Sequence, residues 1–202
     1  MTQLTPPAIV APSAEMRVAI LCVSYLVGAT AFGPRRELWR GREAVAKVTT
    51  AMFDCIGGLI AVWIAGNVTQ GNIHWMTYAA LAVILGQMFP IWRVARGKQG
   101  GQGVAVAAGA FAVICWQAVV LDFGLWILVV WFWGFAAIGS LAAAAALPLL
   151  LYLLYAPGHA PPTVLSATAL LVTALIVVKH RPNIERLLAG TEPRFSLRRP
   201  KE

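Results

Sequence analysis

The sequence predicts an all-α integral membrane protein with seven transmembrane helices, N-terminus outside and C-terminus cytoplasmic, and three observations predict it. Hydrophobic residues make up 59% of the 202 and charged ones only 12%, about half the charged share of a soluble domain, so a water-soluble fold would lack polar surface to cover it. Apolar runs close to the ~20 residues of a bilayer crossing recur along the chain. The net charge of +8 is gathered between those runs rather than along a groove, which argues against a nucleic-acid partner.

Residues 1–16 read as an external tail. Thr2-Gln3-Leu4-Thr5-Pro6-Pro7 has neither the basic start nor the unbroken apolar core of a signal peptide. A membrane domain over residues 17–180 follows, with spans expected near 17–33, 47–66, 75–92, 104–118, 120–133, 136–155 and 163–179. The run from Val104 to Tyr155 holds one charged residue, Asp122; Gly134, Gly139 and the Trp116-Gln117 pair mark its expected breaks. Residues 181–202 form a cytoplasmic motif and basic tail. Arg35, Arg36, Arg40, Arg42 and Lys47 follow the first span, Arg93, Arg96 and Lys98 the third, and a further seven, from Lys179 to Lys201, the seventh. Seven crossings put all of these on one side, which the positive-inside rule makes the cytoplasm. Cys22, Cys55 and Cys115 fall within spans as small packing residues.

Two polar segments carry the chemistry. Gln99-Gly100-Gly101-Gln102-Gly103 stands just ahead of a helix at Val104; glycines there let backbone N–H groups approach a phosphate at a helix N-terminus, with Arg93, Arg96 and Lys98 alongside. An interspan hinge is the plainer reading of the glycines. In the run from His180 to Phe195, Asn183 and Arg186 are three apart on one helical face, ahead of Gly190. A basic amphipathic helix lying on anionic lipid would also explain that run.

The order His180-Arg181-x-Asn183-Ile184-x-Arg186-Leu187-x-x-Gly190-x-Glu192, with Gly86-x-x-x-Pro90, the glycine run, Tyr25 to Gly33 and Phe53-Asp54, resembles the bacterial acyl-phosphate:glycerol-3-phosphate acyltransferase family, from about Tyr25 to Phe195. The resemblance implies a seven-span enzyme of the bacterial cytoplasmic membrane. Such an enzyme moves an acyl chain from acyl phosphate to the 1-hydroxyl of glycerol-3-phosphate without a metal or other cofactor. It also implies Asn183, Arg186, Glu192 and Ser140 as the catalytic candidates. Arg93, Arg96, Lys98, Gly100, Gly101, Gly103 and His180 are the corresponding phosphate-binding candidates.

The chain departs from the family pattern where that chemistry is concentrated. Gln87 stands where the family has histidine, Gln99 and Gln102 where it has lysines, and Gly57 where it has the second-span lysine; Gly134 and Ala137 replace an Arg-x-x-Ser, and the first Gly/Asn-rich loop has no counterpart. A lysine facing a phosphate is worth roughly 1.5–3 kcal/mol as a charge-assisted bond. These losses favour a non-catalytic, lipid-contacting subunit of a larger membrane assembly, with lipids and other membrane subunits as partners; Trp63, Trp75 and Trp92 at span ends suit such surfaces. The second reading is an active but divergent acyltransferase making lysophosphatidic acid. A transporter, the third, would use intramembrane Asp54 or Asp122.

Overall fold

The computed structural model describes residues 12–30, 43–97, 100–155 and 161–195, and every regular element among them is a helix. Arg35, Arg36, Arg40, Arg42, Lys98, Gln99, Arg198, Arg199, Lys201 and most of the tail at 1–16 lie outside those residues. The helices are α1 (Ala14–Ala29), α2 (Glu43–Val68), α3 (Ile73–Met88), a single turn α4 (Ile91–Val94), α5 (Val104–Ile114), α6 (Trp116–Trp133), α7 (Ala136–Leu154), α8 (Thr163–Lys179) and α9 (Arg181–Leu188).

Four stretches are long and apolar enough to cross a bilayer, Val45–Val68, Ile73–Val94, Trp116–Trp133 and Ala136–Leu154, and the bent pair α8–α9 makes a fifth. The other two expected spans are helices of 16 and 11 residues, α1 and α5. Eleven residues at 1.5 Å each reach about 16 Å, roughly half the hydrocarbon thickness.

Local chemistry sets the boundaries. Ser13 caps α1 by accepting from the Met16 N–H, and Asn72 caps α3 by accepting from His74 and Trp75. The expected span at 75–92 falls within Ile73–Val94 but is broken after Met88, where α3 ends, because Phe89 precedes Pro90 and is held out of the helical region (φ −133°, ψ 57°). The expected span at 104–118 stops at Ile114: the break is Cys115 (φ −152°, ψ 85°), one residue before the Trp116-Gln117 pair. Gly134, in the left-handed region at φ 77°, ends α6 as its sequence suggests. Gly139 is no break. It lies inside α7, where the absent side chain makes room for Trp126 and Val130 of α6. Asp122 is likewise inside α6 rather than at its end, with one carboxylate oxygen buried and unpartnered among the described residues.

Packing follows from small residues. A Cβ on Gly28 would collide with the Val83 carbonyl and one on Gly86 with the Tyr25 carbonyl, so α1 and α3 touch backbone to backbone. Gly58 against Val106 and Gly109 against Cys55 do the same for α2 and α5. Val83, Ile84, Met88, Phe111, Leu165 and Val172 are fully enclosed between these helices and α8. In α7 Pro148 lacks the N–H that would bond the Ala144 carbonyl, and the Thr173 hydroxyl of α8 donates to it instead at 2.6 Å. The chain then bends by 51° between α8 and α9, where Pro182, near the start of α9, cannot continue the hydrogen-bond ladder.

Candidate functional site

One end of the bundle gathers the polar segments. Tyr25 of α1 receives the Ile91 N–H at 3.1 Å and donates to the Phe89 carbonyl at 2.7 Å, bracing the break below α3. Lys179, at the end of α8, donates to the Met88 carbonyl at 2.6 Å and lies 4.2 Å from the Phe89 ring centre. The glycine turn folds against this break. The Gly101 N–H donates to the Gln87 carbonyl at 2.9 Å, and a Cβ on Gly100, Gly101 or Gly103 would strike Met88 or the Gln87 amide. Gly103 also takes φ 85°, so the turn needs glycine on both counts.

From that turn Gln102 donates to Asn183 Oδ1 at 2.7 Å, bridging 81 residues of chain. Asn183 donates in turn to Glu192 Oε1 at 3.0 Å, and Arg186 donates to Glu192 Oε2 at 2.6 Å. The shared helical face of Asn183 and Arg186 is thus real, and what it holds is Glu192, whose side chain is only 7% exposed. Burial pushes the Glu192 carboxyl up, but the hydrogen bonds from Asn183 and Arg186 and the charges of Arg186 and Lys47 outweigh it and hold the carboxyl below its ordinary value. Among the described residues Asn183 keeps one amide N–H uncommitted, and Arg186, bonded through Nε, keeps its terminal nitrogens.

The remaining predicted residues divide. Arg93, half-buried, and Arg96, exposed, stand on and just after the α4 turn, ahead of the glycines in the chain; Lys98 lies outside the described residues. Ser140 accepts from Trp126 Nε1 at 3.3 Å, and its hydroxyl proton has no acceptor among the described residues. The segment after Glu192 leads back to that helix pair: the Phe195 N–H donates to the Gly134 carbonyl at 2.7 Å, and its ring meets Trp126 edge-on. His180 departs from expectation as a phosphate ligand. It is fully buried behind the α8–α9 bend, Nδ1 sits 2.8 Å from the Ile176 carbonyl, and Nε2 is buried without a described partner.

The sequence assigns no contact to Lys179 or Tyr25 and does not pair Asp54 with Gln87, whose Nε2 donates to Asp54 Oδ2 at 2.9 Å. A Gln three residues before a Pro break and an Asp inside an apolar span were the available signals. Gln102 was read as a lost cation, yet it performs a donor's task on Asn183.

Residues 36–190 match the glycerol-3-phosphate acyltransferase family model. A glycerol-3-phosphate acyltransferase of Gluconobacter oxydans is 35% identical over 85% of this chain and 79% of its own length. One of Mesorhizobium japonicum is 31% identical over 82% and 78%, and one of Bordetella petrii 30% over 94% and 98%. Crystal structures of PlsY, an integral membrane glycerol 3-phosphate acyltransferase, in a lysophosphatidic acid form and a glycerol 3-phosphate form, superpose with TM-scores of 0.75 and 0.74 at 26% identity, over 90% of this chain and 96% of theirs. These likenesses overturn the expectation of a non-catalytic subunit within a larger assembly: the family model, the relatives and the solved structures are all named glycerol-3-phosphate acyltransferase.

Proposed function

Since the chain belongs to the glycerol-3-phosphate acyltransferase family and is a multi-pass protein of the bacterial cytoplasmic membrane, we propose that it transfers an acyl group from acyl phosphate to glycerol-3-phosphate, forming lysophosphatidic acid. The observation that carries this reading is the linked set Gln102–Asn183–Glu192–Arg186, assembled from two segments beside the glycine turn.

Acyl phosphate is a mixed anhydride and already activated, so positioning and charge stabilisation suffice and no cofactor is needed. The glycerol hydroxyl oxygen bonds to the acyl carbon, the carbon–oxygen bond to phosphate breaks, and the hydroxyl proton leaves with the phosphate. Arg93, Arg96 and Lys98, with the backbone N–H groups of Gly100 and Gly103 at the start of α5, hold the phosphates; the Gly101 N–H is already bonded to the Gln87 carbonyl and shapes the turn instead. The free N–H of Asn183 and the Ser140 hydroxyl are the donors for charge that develops on the carbonyl oxygen, and Glu192 keeps Asn183 and Arg186 oriented. Incubating the purified protein with acyl phosphate and labelled glycerol-3-phosphate should yield lysophosphatidic acid; no product above a blank from membranes lacking the protein would defeat the proposal.

The proposed topology is seven crossings with the N-terminus outside, an external tail over 1–16, a membrane domain over 17–180 and a cytoplasmic motif over 181–202. The Lys and Arg distribution supports it. A cysteine placed within residues 69–72 should react with an impermeant thiol reagent added to cells, and one at Arg96 should react only after lysis. The reverse pattern would invert the topology.

A further inference from the structure

The geometry points to Asp54 and Gln87 as a positioning pair that sets the glycine turn, and through it Gln102, against Asn183. The inference rests on the acyl-transfer reading above. Gln87 ends α3 with three attachments. Its side-chain N–H reaches across to Asp54 of α2 at 2.9 Å. Its carbonyl accepts the Gly101 N–H at 2.9 Å. Its amide covers the face of Gly101 so closely that no Cβ would fit there.

The next residue is Gln102, which donates to Asn183 at 2.7 Å. A displaced Gln87 therefore displaces Gly101 and shifts the donor that orients Asn183. Among the described residues the space around the pair, lined by Val27, Phe53, Gly57 and Val106, has no room even for a water molecule, so the pair acts through the turn and not on a ligand held there. Asp54 also decides which way the glutamine amide points: only N–H can face a carboxylate oxygen, which leaves Gln87 Oε1 buried with no described partner. An arrangement that leaves a carbonyl unsatisfied is the kind retained for position rather than for stability.

The test uses the full-length protein in detergent or lipid. Gln87→Met keeps the length of the side chain and removes the donor; it should lower kcat/KM for acyl transfer by roughly ten- to a hundredfold, the scale of a misplacement of about 1 Å. Asp54→Leu should do the same, whereas Asp54→Asn, which retains an acceptor, should stay within about twofold of the unmodified protein. The effect of Gln87→Met should vanish in a Gln102→Ala background, since both act on Asn183 by one route. A folded Gln87→Met variant with unchanged kcat/KM, or losses that simply multiply with Gln102→Ala, would overturn the pairing. Amide exchange separates this from the function itself: Gly101 and Gln102 should exchange at least about tenfold faster in Gln87→Met. Unchanged exchange refutes the positioning role whatever the activity, and an inactive unmodified protein whose turn loosens in Gln87→Met refutes the acyl-transfer reading instead.

Discussion

The glycine-stitched half of the bundle, α1 with α3 and α2 with α5, contrasts with the α6–α7 pair. In the first, four glycines bring backbones into direct contact and the enclosed side chains have no exposure at all. In the second, α6 presents Trp131 at 76% and Phe132 at 66% exposure, and its main neighbour is α7. The difference shows where the tolerances are tight. The glycine turn that faces Asn183 leads straight into α5 and is bonded to the end of α3, so its placement inherits the accuracy of backbone packing. An aromatic face against hydrocarbon can shift without cost, because lipid is as apolar as the side chains it meets.

The contrast breaks most severely at the backbone contacts. Gly109→Val would drive a side chain into the Cys55 carbonyl, and we expect a loss of about 3 kcal/mol or more, seen as little folded protein by size-exclusion chromatography in detergent. Asn183→Ala comes next, leaving the fold but removing the oriented amide; acyl transfer should fall by about a hundredfold or more, as for loss of one donor to a developing oxyanion. Arg186→Ala should lower the thermal stability by about 1 kcal/mol, since the guanidinium is 44% exposed and only its partner Glu192 is enclosed.

The sharper probes are smaller. Because the Glu192 carboxyl is held below its ordinary value, the stability it contributes is complete above the unfolded-state value and is lost as pH falls through the lowered one. The difference in melting temperature between the unmodified protein and Glu192→Gln should be level from neutral to about pH 5 and shrink below about pH 4. Least of all, Trp131→Leu should change stability by no more than about 0.5 kcal/mol, as for exposed sites generally. A large effect of Trp131→Leu would show that the α6 face is packed and not lipid-exposed.

Much of the fold was legible. Gly134 ended a helix, Gly190 stands just past α9 as the stop its place suggests, and Asn183 and Arg186 share the helical face their spacing predicts. The error at Gly139 came from reading glycine as a breaker where it serves a helix crossing. The larger error, a subunit without activity, came from counting lost cations one by one. Gln102 has no charge, but an amide N–H orients Asn183 as well as an ammonium would, and nothing in the residue type says which partner it meets.

The sequence by itself determined that this is a membrane protein, roughly where its helices begin and end, and that Asn183 and Arg186 act from one face. Each follows from composition or from contacts within a few residues. The tertiary structure alone decided that Glu192 is their shared acceptor, that Gln102 reaches Asn183 and Gln87 reaches Asp54, and that His180 is buried. In a soluble helix the apolar stripe announces the packed face. Here lipid and core are equally apolar, no stripe distinguishes them, and which side chains meet across the bundle is set only when the glycines let the backbones close.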